Sequence, residues 1–389
     1  MLKYCALYSL CVSVSLAANF VTGQGARLVI GQSTFTAQEA GASDTIFGGV
    51  GGLAYFGGKL YITGTNRLGL TPLNHRVLIL DVTGFPQPLD EIPAFSGRCP
   101  VCVGQAEVVL GQPDFTGTDY HLSQDGLRLP TAVATNGTVL AVADTSNNRV
   151  LLWNSIPTTN GKPADVVLGQ SSFDSVKAVT VDSKSLRAPQ GVWIQDGRLF
   201  VADTQNHRVL IWNSIPTQNE QPADVVVGQA NMNVAVEPDL TLATIEAKAD
   251  TLLNPVSVTS DGVRLYVSDL GHNRVLIWNS IPTTNGRPAD VVIGQKDFTG
   301  SIANDVETLC DPLTDSQGNV QTNPDTGDTL YPARCGRTLN FPRYALSDGT
   351  RLFLADGGND RVLVYNQIPT QNAPTPHARN MYPSWLTVE

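Results

Sequence analysis

One phrase comes back down this chain, and it limits the fold more than any other feature. It reads NNRVLLWNSIPTTNGKPADVVLGQ from Asn147 to Gln170, NHRVLIWNSIPTQNEQPADVVVGQ from Asn206 to Gln229, and NRVLIWNSIPTTNGRPADVVIGQ from Asn273 to Gln295. Weaker copies, NHRVLILDV from Asn74 and NDRVLVYNQIPTQN from Asn359, stand at the two ends. A phrase returning roughly every 60–90 residues marks repeated supersecondary units within one architecture, not a string of unrelated domains.

The copy from Leu186 to Gln229 gives the unit. Pro189 to Ile194 is a short apolar run, and Asp196-Gly197 is a tight-turn signal. Arg198 to Ala202 is rich in β-branched and aromatic residues, and Asp203 to Asn206 is a second turn, since Asp and Asn bond nearby backbone. His207 to Trp212 and Ala223 to Val227 are two more strands, separated by an Asn- and Pro-rich loop and closed by Gly228-Gln229. Four short antiparallel strands per unit, repeated without helices, predict an all-β fold, a β-propeller of four-stranded antiparallel blades. A solenoid would need capped ends, and the chain offers none.

Counting units predicts five blades. The Arg-Val-Leu strand occurs at Arg76, Arg149, Arg208, Arg274 and Arg361, and the Gly-Gln strand at Gly31, Gly111, Gly169, Gly228 and Gly294. The two sets are offset, so the N-terminal strand Arg27 to Gln32 is expected to complete the last blade, close the ring and remove a sheet edge. The blades fall at 47–112, 128–170, 186–229, 252–295, and 340–366 plus 27–32. A sixth blade would have room only in 298–340, whose Asp-, Thr- and Pro-rich sequence reads as an insertion.

Residues 1–23 stand apart: Lys3, an apolar run from Tyr4 to about Leu16, then Ala17 and Ala18. This reads as a secretory signal peptide, with a membrane anchor as the alternative, because the apolar run is short for a spanning helix. The mature chain, 24–389, is then a single secreted or extracellular propeller, periplasmic in a bacterial host. No later apolar stretch reaches the ~18 residues of a transmembrane segment. The whole chain carries 25 Lys+Arg against 35 Asp+Glu, a net charge of −10, which repels phosphate backbones and argues against nucleic acid.

Cys99, Cys102, Cys310 and Cys335 remain after the signal. Three pairings are open, and disulfides Cys99–Cys102 and Cys310–Cys335 are favoured because each joins one local segment. A redox role for Cys99-Pro-Val-Cys102 would need a helix N-terminus, and a zinc site would need two closely spaced pairs.

The pattern Pro-x-Gly-Val…Gly-x-Leu-x-Val-Ala-Asp-x-x-Asn-x-Arg-Val-x-x-Trp resembles the NHL-repeat family of β-propellers. Residues 189–212 fit it almost letter for letter, and 130–153, 255–278 and 342–365 fit well, with His272 in the Asn place. The first copy departs: Gly64 stands where the Asp would be, and Asn66 to Pro72 is inserted before Asn74. The tail Asn-Ser-Ile-Pro-Thr…Ala-Asp-Val-Val-Leu-Gly-Gln is similar to exported, mostly bacterial NHL-type proteins of unassigned activity. The resemblance covers nearly the whole mature chain and implies a fold, while a propeller hosts many activities. Some enzymes of this type, such as the lyase that finishes peptide amidation, hold a central metal with His from several blades.

The repeated polar residues are Asp144, Asp203, Asp269 and Asp356, each followed by Arg149, Arg208, Arg274 and Arg361. A catalytic residue is needed once, so residues present in every blade are read as framework, the Asp tying down its turn and the Arg bonding carboxylate or backbone at a blade junction. Trp153, Trp212 and Trp278 are read as aromatics packed between blades. His75, His207 and His272 are expected on the surface of an outer turn. His121 lies outside the repeat and is the weak candidate for a metal ligand. Asn136-Gly-Thr138 is a glycosylation sequon, relevant in a eukaryotic host. Asp305, Glu307, Asp311, Asp315, Asp325 and Asp328 make the insertion acidic and open to Ca²⁺, without the spacing of a defined calcium loop. No nucleophile elbow, paired-His zinc motif or phosphate loop is present, and no other cofactor is expected.

The functional expectation is a secreted, monomeric binding or scaffold module. Its ligand would be a protein or a carbohydrate on one face or in the central channel. The alternatives are a metal-dependent lyase or lactonase, and an extracellular matrix or adhesion component. An enzyme calls for unrepeated His, Glu or Asp at the pore, and the inner segments ending at Tyr55, Thr135, Ile194, Ser260 and Ser347 carry none.

Overall fold

A computed structural model describes residues 29–34, 36–65, 71, 73–83, 104–176 and 180–375. They form a five-bladed β-propeller. Blade one contains β1 (Val50–Phe56), β2 (Lys59–Gly64), β3 (Arg76–Asp81) and β4 (Val108–Leu110). Blade two contains β5 (Ala132–Thr135), β6 (Leu140–Asp144), β7 (Arg149–Trp153) and β8 (Val166–Leu168). Blade three contains β9 (Gly191–Gln195), β10 (Arg198–Asp203), β11 (Arg208–Trp212) and β12 (Val225–Val227). Blade four contains β13 (Pro255–Ser260), β14 (Leu265–Asp269), β15 (Arg274–Trp278) and β16 (Val291–Ile293). Blade five contains β17 (Pro342–Ser347), β18 (Leu352–Asp356) and β19 (Arg361–Tyr365). Within each sheet the strands pair antiparallel in chain order.

The strands follow the residues. Apolar side chains on both faces of the second and third strands suit a sheet packed on both sides. Those faces form cores between successive blades, filled by Trp153, Trp212, Trp278 and Tyr365 at the end of each third strand. Each Trp is at most 1% exposed and its indole N–H donates to a backbone carbonyl, of Lys162, Gln221 or Arg287, at 2.9–3.0 Å. The turn after the second strand of blades two to five is one turn of 3-10 helix followed by a left-handed residue, Asn148, His207, Asn273 or Asp360, at φ +51° to +54°.

The Asn-Ser-Ile-Pro-Thr-x-Asn part of the phrase is a strap. Asn160 of blade two accepts the Val109 N–H on the outer strand of blade one at 3.1 Å, and the Gly161 N–H donates back to the Val109 carbonyl at 2.9 Å. Asn219 with Glu220, Asn285 with Gly286 and Asn372 with Ala373 do the same for Val167, Val226 and Val292. Each of blades two to five thus covers the free edge of the one before it, which is how a sheet edge is kept from pairing with strangers.

The segment 298–340 is an insertion with one short helix, α1 (Val306–Leu309), two isolated antiparallel bridges, and the Cys310–Cys335 disulfide with Cα atoms 5.8 Å apart. Cys99, Cys102 and the first 23 residues lie outside the described residues. At the start of the propeller, Gly31 has φ +88° and sits against Phe47 as Gly111, Gly169, Gly228 and Gly294 sit against a leucine of the next blade. Arg27 and Leu28 fall outside the described residues, and the fifth sheet carries three strands among the described ones. The seam between blades five and one differs from the other four. Val133, Val192, Val258 and Ala345 are at most 4% exposed at their seams, while Leu53 at the same place on β1 is 56% exposed.

Candidate functional site

The turn between the second and third strands organises the repeated polar residues. Asp144 is wholly buried, and its Oδ2 accepts Arg149 Nε at 2.7 Å and Asn147 Nδ2 at 2.9 Å, while its Oδ1 accepts the Arg128 N–H at 2.6 Å. Arg149 spends its other donors on the carbonyls of Ser123, Gly126 and Phe173. Arg208 with Asp203, Arg274 with Asp269 and Arg361 with Asp356 repeat the ion pair at 2.8 Å. Each side-chain oxygen and nitrogen of the Asp144–Arg149 pair therefore finds a partner, the condition under which a buried ion pair is tolerated. In blade four His272 replaces the Asn, with Nδ1 at 2.8 Å from Asp269 and Nε2 at 3.0 Å from the Ile245 carbonyl. Burial works to raise the Asp269 carboxyl, and His272 and Arg274 beside it outweigh that and hold it below the usual range.

Blade one breaks the set. Gly64 offers no carboxylate, and Arg76 is fully buried with Nη1 donating to Phe115 O at 2.7 Å and Nη2 to Ile46 O at 2.8 Å. Among the described residues its Nε has no partner, and burial pushes the guanidinium down to about 10.

The residue between Asn and Arg reaches the next blade. His75 Nδ1 accepts the Leu129 N–H at 3.0 Å, Asn148 Oδ1 accepts Ala188 N–H at 2.8 Å, His207 Nδ1 accepts Asn254 N–H at 2.9 Å, and Asn273 Oδ1 accepts Phe341 N–H at 3.0 Å. The left-handed backbone there aims the side chain across the seam. The three repeat histidines are buried, which corrects the expectation of a surface turn. For His75 and His207 burial lowers the imidazole below its ordinary value, and the accepted N–H keeps Nδ1 unprotonated. His207 Nε2 donates to the Glu237 carbonyl at 2.7 Å.

His121 is exposed in the loop before blade two, one residue after Tyr120. Tyr120 lies edge-on to His75 at 5.8 Å, with the Arg128 guanidinium 4.6 Å above its ring. Asn136 is exposed in the β5–β6 turn, its Oδ1 accepting the N–H groups of Thr138 and Val139. The acids of the insertion are spread out: Asp305 bonds Thr308, Asp315 bonds Asn319, and Asp311 lies 3.6 Å from Arg337. Among the described residues no three His, Cys, Asp or Glu side chains stand where they could hold one metal ion.

The surface that stands out is apolar. Leu53, Tyr55 and Phe56 on β1 and Tyr344 and Leu346 on β17 are exposed on the inner strands of blades one and five, with Phe56 lying over Gly137 of blade two. Pattern reading missed this patch, since position in the ring, not letter type, exposes it. It also missed the straps, although Asn160, Asn219, Asn285 and Asn372 hold one place in the repeated phrase.

No protein-family model matches the chain, and no curated protein matches it. Solved structures match at low similarity. Hydrazine synthase of Kuenenia stuttgartiensis is 10% identical at a TM-score of 0.41, over 90% of this chain and 80% of that one. A candidate 6-phosphogluconolactonase of Bacteroides uniformis is 15% identical at 0.39, over 84% and 83%. A nidogen/laminin complex is 14% identical at 0.27, over 59% and 76%. The blade architecture rests on the strand pairing within the chain itself.

Proposed function

We propose that this chain is an exported, NHL-type propeller that works as a monomeric binding module, taking a protein or carbohydrate on the exposed apolar residues of its inner strands β1 and β17. The supporting observation is the exposure of Leu53 and Tyr55 on β1 and of Tyr344 and Leu346 on β17, all on inner strands, while the counterparts of Leu53 in the other blades are buried. Large apolar residues exposed on inner strands suit an interaction site, and tyrosines offer both an apolar face and a hydroxyl to a peptide or a sugar. The repeated Asp, Arg and His side chains are engaged in framework bonds, so they are poor choices for chemistry. Export is supported by the N-terminal sequence and is consistent with the Cys310–Cys335 disulfide. No described helix is long and apolar enough to cross a membrane.

The test compares the purified chain with Tyr55→Ser/Tyr344→Ser on arrays of glycans and extracellular matrix proteins. Saturable binding lost in the variant, with its melting curve unchanged, supports the reading. A stoichiometric transition metal together with lactone or lyase turnover would overturn it.

A further inference from the structure

Blades two to five each place an aspartate carboxylate 2.7–2.8 Å from the Nε of a repeat arginine. Blade one keeps the arginine and loses the acid. Arg76 is 0% exposed, and its two bonded nitrogens meet neutral carbonyls only. Among the described residues no carboxylate pairs with it, and its Nε N–H is unpartnered. A buried cation is normally paired with a counter-charge, and none is present here among the described residues.

The position from which the other blades supply that counter-charge is held here by Gly64, paired with Arg76 as Asp144 is with Arg149. A Cβ built there would meet Arg76 Nε at 3.5 Å and the Phe47 carbonyl at 3.5 Å, ordinary contacts, and Arg76 Cγ at 3.3 Å, a tight one from which the flexible arginine stem must give by a few tenths of an ångström. A side chain rooted at Gly64 would thus start beside the orphaned nitrogen, as Asp144 does beside Arg149. In blade two the other carboxylate oxygen takes the amide of Arg128, the residue after Leu127. The corresponding residue in blade one, after Phe47, is Gly48.

We propose that blade one binds a small monovalent anion, a halide or a formate-sized carboxylate, against Arg76 Nε in the place where the other blades hold an aspartate. The anion is a structural ligand taken up as the blade folds. This site is separate from the β1 and β17 patch and does not depend on it.

The experiment melts the full chain and Gly64→Asp at constant ionic strength, in sodium gluconate, whose anion is too bulky for a side-chain-sized space, and with chloride, bromide or formate replacing it. The wild type should gain about 2 °C, saturably, on exchange into the small anions. Gly64→Asp should melt above the wild type in gluconate and show no such gain. Equal responses of the two proteins would overturn the site, as would a Gly64→Asp protein that folds but melts lower than the wild type in gluconate. Should that variant fail to fold, crystals of the wild type grown in bromide decide: an anomalous peak beside Arg76 Nε upholds the site, and water alone there overturns it.

Discussion

His207 does with an imidazole what Asn148 and Asn273 do with an amide: it offers a lone pair to a backbone N–H of the following blade. The imidazole can lose that lone pair to a proton, and the amide cannot. Burial holds the His207 value below its ordinary 6.5, so the unfolded chain binds a proton before the folded one does. Its contribution is therefore complete above about pH 6.5 and is lost as the pH falls from there through the lower folded value. His207→Asn should flatten the fall in melting temperature between pH 7 and pH 5 relative to wild type, because Asn tolerates the left-handed backbone and keeps an acceptor. Parallel pH curves would refute the role. Arg208→Ala should cost about 3–5 kcal/mol in urea unfolding, since it strands the buried Asp203 carboxylate. The recurrence of Asp and Arg was plain in the sequence. The residue between Asn and Arg, which latches onto the next blade, was not, because Asn and His share the acceptor chemistry but not the letter, and a turn read locally gives no hint that its side chain crosses to a neighbour.

At the scale of the element, strands were readable because each carries its own apolar run and turn signal. The four strands expected in 186–229 match β9 to β12, with ends moved by a residue or two where caps intervene. Pairings between blades were less readable, since the strap and the strand it covers are more than 50 residues apart, as with Asn160 and Val109. The end of the fourth strand is exacting for a local reason. Gly228 has φ +86°, and a Cβ there would come within 2.5 Å of Leu252 of the next blade. Gly228→Ala should therefore destabilise the protein by about 1–3 kcal/mol in chemical denaturation. The insertion is closed by a disulfide across 25 residues. Its removal in Cys310→Ser/Cys335→Ser should cost about 3 kcal/mol on the loop-entropy estimate, read as a lower melting temperature matched by reduction of the wild type.

Across the whole molecule the five seams are not equivalent. Val192 is buried between blades two and three, whereas Leu53, at the same place on blade one, is mostly exposed. Val192→Asp should cost more than about 3 kcal/mol, while Leu53→Asp should stay within about 0.5 kcal/mol in the same denaturant titration. Five blades could be counted in the sequence because the count needs only the phrase. The uneven seam could not, because it is set by which blades end up as neighbours.

The latch and the strap run in opposite senses: a blade reaches forward to the entry loop of its successor and back to the outer edge of its predecessor. A single blade thus carries both a plug and a socket in one stretch of chain. Copying that stretch and splicing the copy in tandem adds a module whose two ends already match its neighbours. Blade number can then change by duplication without inventing a new junction, and the near-identical phrases of blades two to four have the form such a copying history would leave.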